Sequence, residues 1–248
     1  MDFDSDGVRL HYETHGPADG APVVLVHGFA SDYQLNWVGT RWQETLTGAG
    51  YRIVGLDSRG HGSSEKPHDP ASYALELMAA DVRRLLDHLD IKVADCLGYS
   101  MGARIGTQLM LDNPDRVRRV VLGGAGWVGA FRAAADIAEA FRGGPAKSEV
   151  AKTFYQFASA RPSNDLEALA ACILGPQPAP DPAGLGAITN PVLVVVGDQD
   201  DIVSGVDRLV ESIPTARLVT VAGRNHMSTV PAKEFKQAVL DFLAEEPG

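Results

Sequence analysis

Short runs of aliphatic, largely β-branched residues punctuate the chain at 23–26, 51–56, 94–99, 117–122, 192–196 and 218–221. Most are apolar on both faces, as strands are in a parallel sheet covered by helices on each side. Helical spacing lies between them. Residues 42–46 form a short amphipathic stretch. Residues 74–89 place Leu75, Met78, Val82, Leu85, Leu86 and Leu89 along one face. A third pattern covers 101–111 and stops at Asn113-Pro114, and a last one covers 235–243. Strands alternating with helices predict an α/β fold, a mostly parallel doubly wound sheet of about eight strands with helices on both faces. Residues 8–15 alternate apolar with polar and read as an exposed antiparallel edge strand.

The rhythm breaks from 127 to 189, where no strand run occurs. This stretch is rich in alanine and carries Phe131, Phe141, Phe154, Tyr155 and Phe157. Gly143-Gly144-Pro145 and residues 161–164 divide it, so two to four short helices are expected, and the proline-rich residues 175–182 should return extended to the sheet. The division predicted is a single core made of 1–126 and 190–248, with 127–189 as a short helical cap.

A chain of 248 residues, 45% hydrophobic and 22% charged, suits one large α/β domain. The net charge of −10 repels phosphate backbones and anionic lipid, so neither nucleic acid nor membrane is expected as a partner. No apolar run approaches the ~18 residues of a membrane span. The acidic start, Met1-Asp2-Phe3-Asp4-Ser5-Asp6, has no apolar segment, and a cytoplasmic location is expected. Cys96 and Cys172 match no metal or disulfide spacing. Cys96 reads as a small core hydrophobe.

Gly98-Tyr99-Ser100-Met101-Gly102 fits G-x-S-x-G. The pattern is weak alone, but here it follows a buried strand and opens a helix. A serine projecting from so sharp a turn needs glycines beside it, because a Cβ there would clash. The helix N-terminus adds free N–H groups next to the serine, and the Met101 amide can meet a developing oxyanion. A serine nucleophile needs a base, and the base needs a carboxylate to orient it. Among seven histidines, His226 stands out. It lies between the last strand and the last helix, in the kind of loop where such sheets collect catalytic groups. The preceding loop offers Asp198, Asp200 and Asp201 as the acid, and their chemistry does not separate them.

Together these residues resemble the α/β-hydrolase superfamily, in its small esterase-like branch. His27-Gly28-Phe29 is similar to that family's oxyanion loop, which implies the Phe29 amide as the second oxyanion donor. Residues 57–64, Asp57-Ser58-Arg59-Gly60-His61-Gly62-Ser63-Ser64, match its D-x-R-G-x-G-x-S loop, mainly an architectural element. Gly197-Asp198-Gln199-Asp200 resembles its G-x-x-D motif, which selects Asp200 as the acid. Ser100 stands where haloalkane dehalogenases and epoxide hydrolases carry aspartate and dienelactone hydrolases carry cysteine.

The resemblance implies hydrolysis of carboxylic esters of small or medium size through an acyl-enzyme on Ser100. No metal or cofactor is required. Lactonase, carbon–carbon bond hydrolase and perhydrolase chemistries share the machinery, and a ligand-binding receptor with negligible turnover would keep the same residues. Trp127, Phe154, Tyr155 and Phe157 are the expected pocket lining.

Overall fold

Each of the six apolar runs forms a strand in the computed structural model, which describes residues 1–127 and 132–245. Phe131 lies outside the described residues. One eight-stranded sheet results, in the order β1-β2-β4-β3-β5-β6-β7-β8. Strands β3 (Pro22–Val26), β4 (Arg52–Leu56), β5 (Ala94–Tyr99), β6 (Val117–Gly123), β7 (Val192–Gly197) and β8 (Ala216–Val221) run parallel. Strands β1 (Asp2–Ser5) and β2 (Val8–His15) are antiparallel.

The expectation of an edge strand at 8–15 is corrected by β1. It pairs outside β2 and takes the edge, with Phe3 and Ser5 buried and Asp2 and Asp4 facing out. β2 therefore has a neighbour on each side, through Asp2↔His11 and Tyr12↔Leu56.

Strand alternation decides which side chains meet which helix layer. Val23 and Leu25 point to one face, where α1 (Trp42–Gly48) and α10 (Lys233–Ala244) bring Trp42, Leu46, Phe235 and Val239. Val24 and Val26 point to the other. There α2 (Leu75–His88), α3 (Met101–Asp112) and α8 (Val206–Ser212) supply Val82, Leu85, Met110 and Leu209. Because β3 has β4 on one side and β5 on the other, the winding direction reverses at the carboxyl ends of β3 and β5. That crevice is where doubly wound sheets bind ligands.

Between β6 and β7 the described residues form four helices: α4 (Ala134–Phe141), α5 (Glu149–Ser159), α6 (Leu166–Leu174) and α7 (Pro182–Gly186). Three begin at side-chain caps. Ser148, Asp165 and Asp181 accept from the N–H groups of Ala151, Ala168 and Gly184. Helices α4 to α6 gather Ile137, Phe141, Leu169, Phe154 and Phe157 around Phe29 and Ala30 of the loop after β3. α7 joins the main core instead, through Leu185. Among the described residues no helix is long and apolar enough to cross a membrane.

Candidate active site

β5 runs directly into α3, and Ser100 is the hinge residue between them, with φ 54° and ψ −110°. A positive φ is strained for any residue with a Cβ. Hydrogen bonds hold it: Ser100 N–H donates to Gly123 O at 2.8 Å, and Ala103 N–H donates to Ser100 O at 3.0 Å. The flanking glycines are required by close approach. A Cβ on Gly98 would sit 2.2 Å from Gly102 O, and one on Gly102 would sit 1.9 Å from Val26 O. The turn is thereby wedged against the end of β3, and its serine stands at the crevice.

His226 begins the short helix α9 (His226–Thr229). A reciprocal cap sets its position: Asn225 Oδ1 accepts from Ser228 N–H, and Ser228 Oγ accepts from Asn225 N–H. The Tyr99 hydroxyl, on the residue before Ser100, donates to His226 O. A Cβ on Gly124 would lie 2.9 Å from the imidazole, so the ring is seated against bare backbone. Its Nδ1–H donates to Asp200 Oδ2 at 2.7 Å, with the two side chains 7% and 2% exposed. The other oxygen, Oδ1, accepts from the N–H groups of Ile202 and Val203, each at 3.1 Å. Of the three carboxylates in this loop, Asp200 is the one against the imidazole. Asp198 accepts from Gly223 N–H, and Asp201 is exposed. Gly197 permits the meeting, since a Cβ there would be 2.0 Å from Arg224 O.

The loop after β3 completes the floor. Gly28 N–H donates to Asn36 Oδ1 at 3.1 Å, and a Cβ on Gly28 would touch the Ser100 Cβ at 3.5 Å. Met101 N–H is at the first position of α3, where a helix leaves its amides free. Neither it nor Phe29 N–H is taken by another described residue. Beneath this loop His27 is sealed in the interior. Ser58 N–H donates to its Nε2 at 3.0 Å, so Nδ1 carries the proton and donates to Gly28 O at 2.8 Å. His61 lies beside it, with ring centroids 5.1 Å apart and the planes tilted by 57°. Burial pushes both imidazoles below their ordinary value, His61 to about 3. They are neutral in the fold and charge when the chain unfolds. Below about pH 6.5 the unfolded chain therefore binds the extra protons, and stability falls as pH falls; for His61 the window runs down to about pH 3. Urea titrations should show a slope of about 1.4 kcal/mol per pH unit from His61 within its window. His61→Asn should remove about one proton's worth of slope, and an unchanged slope would refute the assignment.

Ser100 lies at the junction of two cavities. The larger, about 310 Å³, is mainly apolar and is lined by Leu35, Phe154, Phe157, Met227 and Val230. The smaller, about 80 Å³, extends toward Arg104, Ile173 and Gln177. Both include Ser100, His226, Phe29, Phe154 and Ile202. Of the four pocket residues expected, Phe154 and Phe157 line the larger cavity, three residues apart on one face of α5. Trp127 and Tyr155 line neither cavity. Tyr155 is on the outer face of α5 and 40% exposed. Trp127 is carried away from the crevice by the turn after β6. Its N–H donates to Gly205 O, and the Arg208 guanidinium lies over its ring at 4.0 Å. Arg104, Asn36 and Ile202 also line these cavities, and no local sequence pattern marks them. The remaining histidines are occupied elsewhere: His11 with Asp2, His15 with Glu13, His68 with Asp165, and His88 against Phe3. Among the described residues no group of three His, Cys, Asp or Glu could hold a metal ion.

Residues 21–171 match the family model described as the alpha/beta hydrolase fold. The chain is 32% identical to a Variovorax paradoxus protein that carries the name of a carbamate hydrolase, over 95% of this chain and 96% of that one. Among solved structures it is similar to a hydrolase from Pseudomonas aeruginosa, at 27% identity and a TM-score of 0.83, covering 99% and 98% of the two chains. It is also similar to the enol-lactonase from Burkholderia xenovorans, at 27% identity and a TM-score of 0.79, covering 99% and 100%.

Proposed function

The chain belongs to the α/β-hydrolase fold family, and from that premise we propose that it is a serine hydrolase that cleaves carboxylic esters of small molecules. The observation that carries the reading is the 2.7 Å bond from His226 Nδ1 to Asp200, with Ser100 on its strained turn lining the same cavities. In this reading His226 Nε2 takes the Ser100 proton as Oγ attacks the ester carbonyl. Asp200 orients the imidazole and stabilises its cation. The amides of Phe29 and Met101 receive the negative oxygen of the tetrahedral intermediate. His226 returns the proton to the departing alcohol, and water then cleaves the acyl-enzyme by the same steps. Ring opening of a lactone uses the same atoms, and the likeness to an enol-lactonase keeps lactones within the substrate class.

A fluorophosphonate tests the nucleophile directly. About one equivalent of label should attach to the peptide that contains Ser100, as read by mass spectrometry. Hydrolysis of p-nitrophenyl butyrate should be lost in proportion to labelling. Labelling elsewhere, or binding of the ester without steady turnover, would overturn the reading.

A further inference from the structure

Arg104 is oddly placed for an arginine. It sits near the N-terminus of α3, where the helix dipole disfavours a cation. It is partly buried, and burial lowers its pKa to about 10, which leaves it charged at neutral pH. Yet among the described residues no carboxylate meets it. Arg59, Arg118 and Arg161, also wholly or partly buried, each pair with an aspartate. The partners of Arg104 are instead two backbone carbonyls. Nη2 donates to Gln177 O at 2.7 Å and to Pro178 O at 3.2 Å. These carbonyls come from the segment after α6, which carries Pro176, Pro178, Pro180 and Pro182. Prolines hold such a segment extended and offer oxygens without N–H groups. The segment grips one nitrogen of the guanidinium and leaves Nε–H and Nη1–H with no partner among the described residues. Arg104 lines the smaller cavity at Ser100 and a second, outer cavity lined by Leu75 and Asp181.

We propose that Arg104 is the binding site for a substrate carboxylate, so that the esters or lactones this enzyme handles carry a second, anionic carboxyl group. The inference rests on the serine-hydrolase reading and narrows its substrate class. Ser100 caps the N-terminus of α3 and Arg104 lies in the first turns of that helix, and both line the smaller cavity of about 80 Å³. So small a cavity calls for a short link between the anionic group and the reacting carbonyl. Half-esters of short dicarboxylic acids, and lactones with a short carboxylate arm, have such a link. The larger apolar cavity takes the rest of the molecule. Because the protein's own charge of −10 repels anions, preference for an anionic substrate needs a local cation, and Arg104 supplies one at the site.

The test compares matched esters in a pH-stat. Monoethyl glutarate carries the carboxylate in its acyl part, and carboxymethyl butyrate carries it in its alcohol part. Each is paired with the neutral ester in which an isopropyl group replaces the carboxylate. For at least one pair the wild type should favour the anionic ester in kcat/KM. Arg104→Met should reduce that anionic-to-neutral ratio about 10- to 100-fold, and Arg104→Lys should restore part of it. Neutral preference in both pairs, or a ratio unmoved by Arg104→Met, would overturn the proposal. Should Arg104→Met fail to fold, the wild type still decides. Glutarate should inhibit competitively and its diamide should not, and equal effects would refute the carboxylate site. Complete absence of ester turnover would instead sink the serine-hydrolase reading, and glutarate binding by calorimetry would then test Arg104 separately.

Discussion

Asp200→Asn is expected to lower kcat by about 10⁴-fold while leaving the fold intact. The reason is in the hydrogen bonds of the carboxylate. Oδ1 accepts from two backbone amides, Ile202 N–H and Val203 N–H, and Oδ2 accepts from His226 Nδ1–H. An asparagine must keep its oxygen toward the two amides, because its NH₂ group would face them donor to donor. The NH₂ then faces His226 and requires Nδ1 to accept. The imidazole proton moves to Nε2, the nitrogen that must take the Ser100 proton, and the base is held in its inactive tautomer. Asp198→Asn is the control. Among the described residues Asp198 accepts only from Gly223 N–H, which an amide oxygen does equally well, so kcat should change less than about twofold. Steady-state hydrolysis of p-nitrophenyl butyrate measures both. A loss below tenfold for Asp200→Asn would remove Asp200 from the proposed mechanism.

That contrast also marks where sequence reading ends. Three carboxylates within four residues carry the same chemistry, and resemblance alone favoured Asp200. What separates them is the approach of the loop after β7 to the loop after β8, made possible by Gly197 against Arg224 O. The parallel strands were legible because each is a local apolar run. β1 was not, since Asp2-Phe3-Asp4-Ser5 has one apolar side chain and no period to read. Trp127 follows a strand end and so resembled a pocket residue. Gly124, with φ 58°, and Gly126, where a Cβ would lie 2.3 Å from Ser204 O, turn the chain beneath α8 instead. Nothing in the helical pattern of 101–111 sets Arg104 apart. Its setting comes from carbonyls 73 and 74 residues away, a relation that local patterning does not encode.

Asp81→Ala is expected to destabilise the fold by about 3–5 kcal/mol, as breaking one side of a buried ion pair does. Domains have about 5–15 kcal/mol in all, so the loss is severe. Asp81 lies on the buried face of α2 and receives a two-pronged contact from Arg59, Nε to Oδ2 and Nη2 to Oδ1, both 2.7 Å. The side chains are 4% and 2% exposed. Arg59 also donates to Ser72 O, and Ser5 Oγ donates to Asp81 Oδ1 at 2.6 Å. One carboxylate thus ties the loop after β4, the helix α2 and the edge strand β1. Alanine leaves a sealed guanidinium with one carbonyl and strands the Ser5 hydroxyl. With a urea m-value of about 2–3 kcal/mol/M, the midpoint should fall by about 1–2.5 M. The double variant Arg59→Met/Asp81→Leu separates the pair from its parts. Two charges removed together no longer incur desolvation, so the double variant should recover most of the stability lost by Asp81→Ala. If it is instead as unstable as the sum of the single variants Arg59→Met and Asp81→Leu, the two side chains are not energetically coupled, and the attribution of the loss to an orphaned Arg59 charge is wrong.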